Sequence, residues 1–432
     1  MNEFKIDLQP LGPVRDTPSP HGIRIAIGEA VLSRLIRTHD NKQGDYLFAP
    51  AEQLAFWLTD NWWRLRWESI PREGRTPAWR QAHDMSSIGG GYAWPKIAVI
   101  GGDDRLGLIS IADSEPTVGP VRYLTNALQY INAGQFEREV DRFFERVLDD
   151  RILSADEQAA LGAQIAALRR ERVHPDYARW RMFEARLGFD PDQAPKAVIC
   201  AALKLARQYG VSDTGEAMTA APGLAAAKTL HDVIDAASKL RSRCDHVSDY
   251  VDRVTVERQP DAPPWVIAEK VAQDVRDVAG TDGGPLRNQR LAELLGVSAS
   301  WLKAQSRAEG KPPYGLRLQH DDGRQSIVSR NNRRFDACRA LGDAVWSSGG
   351  EDRIGPLADT KTLRQKFQRA FAQSLLCPYE NLRAYMNTER PDDDDITAAA
   401  RYFHVSERMV QSILINKGII QRDEFAERLE VA

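Results

Sequence analysis

Arg334-Phe335-Asp336-Ala337-Cys338-Arg339-Ala340-Leu341-Gly342-Asp343 opens a segment that reads as a helix over residues 334–346. Arg339 and Asp343 stand four residues apart, which sets them one turn apart on a single helical face, at the spacing of an ion pair. Upstream, residues 316–320 and 325–329 read as the strands of a hairpin, with Asp321-Asp322-Gly323 as the turn. Helices are expected over 265–278 and 288–295 before the hairpin, and over 362–376, 395–403 and 407–417 after it. The acidic run Asp392 to Asp395 lies where carboxylates stabilise the start of a helix.

Further toward the N-terminus, Glu257-Arg258-Gln259-Pro260-Asp261-Ala262-Pro263-Pro264 reads as a linker, so a domain is expected over 265–432. Residues 119–256 read as a helical middle region. Residues 1–118 read as a small α+β domain that holds six of the ten tryptophans. Within it, Leu54, Trp57, Leu58 and Leu65 recur at helical spacing over 50–67. Residues 94–112 predict a hairpin turning at Gly101-Gly102-Asp103-Asp104, and residues 1–25, with Pro10, Pro13, Pro18 and Pro20, an extended lead-in. The expected fold class is α+β, predominantly helical.

The bulk properties exclude several classes. The chain has 432 residues, 42% hydrophobic and 28% charged, a globular balance. A net charge of -3 gives no global electrostatic case for nucleic acid. Four widely spaced cysteines exclude a CxxC zinc ribbon. No two of the eight histidines sit at i,i+4, so no metal or other cofactor is expected. No apolar run approaches ~18 residues, and Met1 to Leu11 lacks a signal-peptide pattern; no membrane association and a cytoplasmic location are expected.

Four pieces carry a resemblance. The segment 334–343 is similar to the active helix of ImmA/IrrE-type zinc metallopeptidases, where an Arg-Phe pair precedes HELGH by three residues. Phe371-Ala372-Gln373-Ser374-Leu375-Leu376-Cys377-Pro378 resembles the family's FAxxLLxP run. Leu291-Ala292-Glu293-Leu294-Leu295-Gly296-Val297 resembles its lead-in helix, and residues 398–406 resemble the first part of its closing helix–turn–helix, which would end near Gly418-Ile419-Ile420. The resemblance spans about 155 residues and implies a bacterial setting beside repressors, in stress responses, mobile elements or phage defence. In such a helix two histidines bind zinc and the glutamate activates the bound water. Aligned on the Arg-Phe pair, these positions hold Arg339, Ala340 and Asp343. A guanidinium does not ligate zinc and alanine carries no proton. Where the resemblance implies an acidic third ligand, the chain reads Arg364-Gln365-Lys366-Phe367-Gln368-Arg369. The expectation is a non-catalytic domain with its zinc site replaced, in which Arg339 and Asp343 pair.

Such a protein would act by binding a protein partner or a nucleic acid. Candidate binding residues outside this domain are Trp62, Trp63, His83, Asp84 and Trp94. The tryptophan cluster reads first as the core of a small domain or as packing between domains, and as a binding surface second; Trp62 and Trp63 point in different directions on a helix, so at least one of them is expected to reach the surface or another domain. Two further readings stay open. The first is a hydrolase whose site includes His83 and Asp84. The second is a DNA-binding regulator using helix-turn-helix-like segments at 288–307, with Lys303, Gln305 and Arg307, or at 396–417, with Arg408, Gln411 and Asn416.

Overall fold

Phe4 and Ile6 are buried while Lys5 and Gln9 face solvent, the alternation of a strand with one covered face. In the computed structural model, strand β1 (Phe4–Pro10) pairs antiparallel with β2 (His21–Ile27), Phe4 opposite Ile27. The extended lead-in expected over 1–25 is therefore replaced by two paired strands. The period-2 signal outweighs the prolines, which read as punctuation. The structure describes residues 3–10, 21–115, 119–149, 153–221, 223–240, 244–259, 261–303, 312–330, 333–347 and 353–420. Pro13, Pro18 and Pro20 of the lead-in, Pro260 of the linker, and Gln305 and Arg307 lie outside the described residues.

Helix accounts for 53% and strand for 15%, so the protein is α+β with helix predominant. It divides into two compact units, Met1–Ile199 and Cys200–Ala432, where the sequence suggested segments 1–118, 119–256 and 265–432.

In the first unit, β3 (Ala30–Val31) and β6 (Leu47–Ala49) both pair with β2. Between them in the chain, β4 (Leu35–Arg37) pairs with β5 (Lys42–Gly44). Helix α1 (Ala51–Trp67) buries Leu54, Trp57, Leu58 and Leu65 as their spacing predicted, and the short α2 (Pro77–His83) follows, capped by the Thr76 hydroxyl. The expected hairpin forms from β7 (Ile97–Ile100) and β8 (Arg105–Ser110). Strand β9 (Val121–Tyr123) then joins β4, and β10 (Ala127–Asn132) joins β8. These two pairings cross residue 118 and tie the start of the middle region to the N-terminal sheets. Helix α3 (Ala133–Leu148) adds Phe136, Val140, Phe143, Phe144 and Val147 to the same core. Helices α4 (Ala155–Val173) and α5 (Pro175–Arg186) pack against α1.

Helix α6 (Lys196–Tyr209) leads into the second unit, which continues with α7 (Val211–Ala220), α8 (Ala226–Ser238) and α9 (Val247–Arg253). The described linker residues before Pro264 carry no regular structure, and α10 (Pro264–Val278) starts at that proline. Next come α11 (Asn288–Leu295) and α12 (Ala299–Lys303). A three-stranded antiparallel sheet follows, with β11 (Gly315–Gln319) between β12 (Gln325–Val328) and β13 (Ile354–Leu357). Helix α13 (Arg333–Trp346) lies between β12 and β13 in the chain, and α14 (Leu363–Leu376) packs on both α13 and α10. Helices α7 and α8 lie against this sheet, and Cys244 bridges to Gln325, so residues 200–256 complete the C-terminal fold. The chain ends in α15 (Tyr379–Met386), α16 (Asp393–Phe403) and α17 (Glu407–Asn416), which share a small core of Leu382, Ile396, Phe403, Val410 and Leu414. Asp392 and Asp395 form a reciprocal capping box at the start of α16, the role read from the acidic run. Among the described residues, no helix is long and apolar enough to cross a membrane.

Candidate functional site: a buried carboxylate–guanidinium centre

Helix α13 is buried along its whole length from Asp336 to Trp346, so its polar side chains must find partners inside the protein. The facing helix α14 supplies them. Arg364 and Gln368 are one turn apart there, with Gln365 beside them, and the Thr362 hydroxyl caps the helix by accepting from the Gln365 N–H. Two glycines let the elements approach this closely. A Cβ on Gly342 would stand 2.5 Å from Cδ1 of Phe371, and one on Gly355 in β13 would stand 1.7 Å from Oδ2 of Asp343.

Asp343 is fully buried. Its Oδ1 accepts from Arg364 Nε at 2.6 Å and from Gln368 Nε2 at 2.6 Å. Its Oδ2 accepts from Arg364 Nη2 at 2.9 Å and from Arg317 Nε at 2.9 Å. Each oxygen thus holds two donors, which uses its lone pairs in full. Arg364 reaches on to the Asp213 carboxylate and, through Nη2, to the Ser347 hydroxyl at 2.9 Å. Asp213 also accepts the Ile354 N–H of β13 at 3.0 Å.

The expected Arg339–Asp343 pair does not form. Arg339 donates instead to the Ala358 carbonyl at 2.7 Å, to Gln365 Oε1 at 2.6 Å and to Gln368 Oε1 at 3.2 Å. The carboxylate nearest to it is Asp336, at 3.8 Å. Gln368 stands between the two, accepting from Arg339 and donating to Asp343. Arg364, from the facing helix, takes both Asp343 oxygens with Nε and Nη2, while Arg339 is held by the Ala358 carbonyl and the Gln365 and Gln368 side chains. Ala340 is buried in the apolar core beside Leu341 and Val345 and takes no part.

Burial pushes the Asp343 carboxyl up, but the Arg364 and Arg317 charges and the donated hydrogen bonds outweigh it and hold the group below its ordinary value of 3.8. Burial lowers the Arg364 guanidinium, but the Asp213 and Asp343 charges outweigh it and raise the group well above its ordinary value. Arg339 moves the other way: burial lowers it, and Asp336, Asp359 and Asp343 offset this only in part. The Asp343 shift fixes a pH dependence. A carboxylate depressed in the folded state contributes stability that is present above its unfolded value and lost as pH falls through the folded one. Urea midpoints should therefore drop from about pH 4 downward in the wild-type protein, and more shallowly in Asp343→Asn. Equal slopes would mean that Asp343 does not carry this dependence.

No protein-family model and no curated protein matches this chain. Its residues must carry the functional argument alone.

Of the candidates in the first unit, Trp62, Trp63, Trp94 and His83 lie in its interior and Asp84 is partly exposed. Trp62, Trp63 and Trp94 are at most 5% exposed, so neither ring of the Trp62-Trp63 pair is offered to solvent. Packing of α3, α4 and α5 around α1 covers both sides of that helix. Trp62 stacks near Phe136 and under the Arg172 guanidinium, and the Trp63 indole donates to Glu171 at 2.9 Å. His83 is fully buried and lies flat on Trp79 at 4.3 Å. Its Nδ1 faces the Val99 carbonyl at 2.6 Å and its Nε2 faces Glu68 at 2.9 Å. Both nitrogens are occupied and no face is open to a substrate. Asp84 accepts from the Ser86 N–H and hydroxyl and orders the turn after α2. Glu68, although buried, is held below its ordinary value by His83 and Arg64.

Sequence reading missed Arg317, Asp213 and the bridging role of Gln368. Asp213 and Glu216 lie one turn apart in α7, and both are buried. Two carboxylates on one buried stretch were the available signal, since such groups require cationic partners.

Proposed function

We propose that the protein is a non-catalytic ImmA/IrrE-like regulatory or defence-associated protein, of bacteria or mobile elements, that works by binding a protein partner. The observation that carries this reading is the saturated Asp343 carboxylate. The resemblance would set Asp343 at the second histidine of a zinc helix and Arg364 close to the third ligand. Here the two hold each other, and no lone pair of Asp343 remains for a metal. Arg339 and Ala340 supply neither a ligand nor a base. The chemistry of this donor set does not fit zinc. The family-like scaffold would then serve recognition in place of hydrolysis.

The test is metal analysis of protein grown with added zinc and then desalted. The expected result is substoichiometric zinc, unchanged in Asp343→Asn. One zinc per chain, lost in that variant together with a peptidase activity, overturns the proposal.

A second reading, DNA binding, is favoured by one observation. Helices α16 and α17 are joined through His404-Val405-Ser406, with His404 in the left-handed conformation, and carry their own small core. The order and turn length resemble a helix-turn-helix, with Arg408 and Asn416 exposed on the second helix. A gel shift at low salt that weakens steeply as salt rises, and that Arg408→Ala reduces, is the expected result on this reading. No shift at any salt removes it.

A further inference from the structure

Arg334, in the first turn of α13, reaches across to the start of α11. Its Nη1 donates to Asn288 Oδ1 at 2.9 Å and its Nη2 to the Leu286 carbonyl. Both partners are neutral. Burial lowers this guanidinium, and among the described residues no carboxylate pairs with it. The closing helices come to the same place. Val405 and Met409 pack on the main core of the second unit as well as on the small core of α15 to α17. That seats the turn between α16 and α17 where burial, and then the Arg334 and Arg287 charges, hold the His404 imidazole below its ordinary value of 6.5.

Arg287 and His404 are both exposed. Among the described residues, neither side chain has a hydrogen bond or an ion pair. Arg401, three residues before His404, and Arg408, in the first turn of α17, are exposed and equally unpaired. Other surface arginines of this unit do take carboxylates: Arg290 holds Glu293, Arg324 holds Asp322 and Arg330 holds Asp359. Glu407, the carboxylate at the turn, points back to α16 and accepts the Thr397 hydroxyl at 2.9 Å. The turn and the start of α11 therefore present positive charge without counter-charge. A helix-turn-helix unit and the elements beside it meet the DNA backbone with such groups, which set register and carry no sequence information.

We propose that Arg287 and His404, backed by Arg334, clamp one backbone phosphate of double-stranded DNA, so that the DNA surface extends from α17 onto the start of α11. The clamp rests on the DNA-binding reading above and owes nothing to the Asp343 centre. A phosphodiester stays anionic across the neutral range, so its arrival favours the imidazolium beside the two guanidiniums. Binding then takes up a proton at His404.

Fluorescence anisotropy of a labelled mixed-sequence duplex, titrated with the full chain over a range of salt and pH, tests this. Arg287→Ala should weaken binding about 10-fold at low salt, the loss of one charge-assisted hydrogen bond. It should also lower the slope of log Kd against log salt by about 1, the loss of one phosphate contact. Wild-type affinity should rise as pH falls from about 8 to about 6, and His404→Asn, which tolerates the left-handed backbone at that position, should flatten the rise. Both variants should melt with the wild type, since neither side chain holds a partner in the fold. No binding at any salt removes the DNA-binding reading and the clamp together. Duplex binding with a salt slope unchanged in Arg287→Ala, or a pH profile unchanged in His404→Asn, leaves that reading and overturns the clamp. Polyglutamate bound as tightly as the duplex also overturns it and assigns the surface to an acidic protein.

Discussion

Arg364→Met should be among the most destabilising single substitutions in the second unit, costing about 3–5 kcal/mol. The side chain it removes touches both Asp343 and Asp213, two fully buried carboxylates. Methionine fills most of the space, so the loss is electrostatic: two anions keep their burial and lose their shared counter-charge. Arg317 still reaches Asp343, and Asp213 still accepts the Ile354 N–H, but neither replaces the shared guanidinium. A lower urea midpoint at unchanged slope is the expected measurement. The control is the triple replacement Arg364→Met, Asp343→Leu, Asp213→Leu. A buried ion pair replaced as a whole by apolar groups is often tolerated, so the triple variant should recover much of the loss. If the triple variant is as unstable as the single one, packing and not charge holds this centre.

Gly355→Ala should rank with it, at about 3 kcal/mol or more, because one methyl group combines overpacking with displacement of a buried charge. The added carbon would stand 1.7 Å from Asp343 Oδ2 and 2.9 Å from Arg317 Nε. Neither atom can give way cheaply. The carboxylate is fixed by four donors, and moving it breaks the contacts of Arg364, Arg317 and Gln368 together. Thermal melts of the variant check this. A melting temperature within a degree or two of the wild type would show that β13 shifts outward without cost.

Much of the second unit was legible in the sequence, for a definite reason. Its helices and hairpin are local elements with strong period signals, and α10, α11, β11, β12, α13, α14, α16 and α17 all stand where residues 265–417 were read. Strand β13 was not, since Ile354-Gly355-Pro356-Leu357 is too short to show alternation. The start of the chain misled for the opposite reason: proline punctuation between β1 and β2 hid two strands whose pairing is non-local. The site was half legible. Arg339, Ala340, Asp343 and the basic α14 could be named from their order along the chain. Their pairing could not, because it depends on which guanidinium meets the carboxylate as a fork. Asp213 lies 151 residues from Arg364, and no spacing rule spans that distance. The tryptophans were legible as a packing cluster, but the burial of both Trp62 and Trp63 was not, since it requires helices on both sides of α1.

The reach of Arg364 back to α7 sets the smallest piece of chain that can be cut out. A fragment beginning at residue 265, the boundary that the proline-rich segment suggests, would leave behind Asp213, the α7 and α8 cover of β13 and β11, and the Cys244 bridge to Gln325. Its Arg364 would lose one of two anions and its sheet one face. Recombinant expression of the C-terminal region should therefore start ahead of Val211. A limited protease that nicks the 257–264 segment should leave two pieces that stay associated through size exclusion.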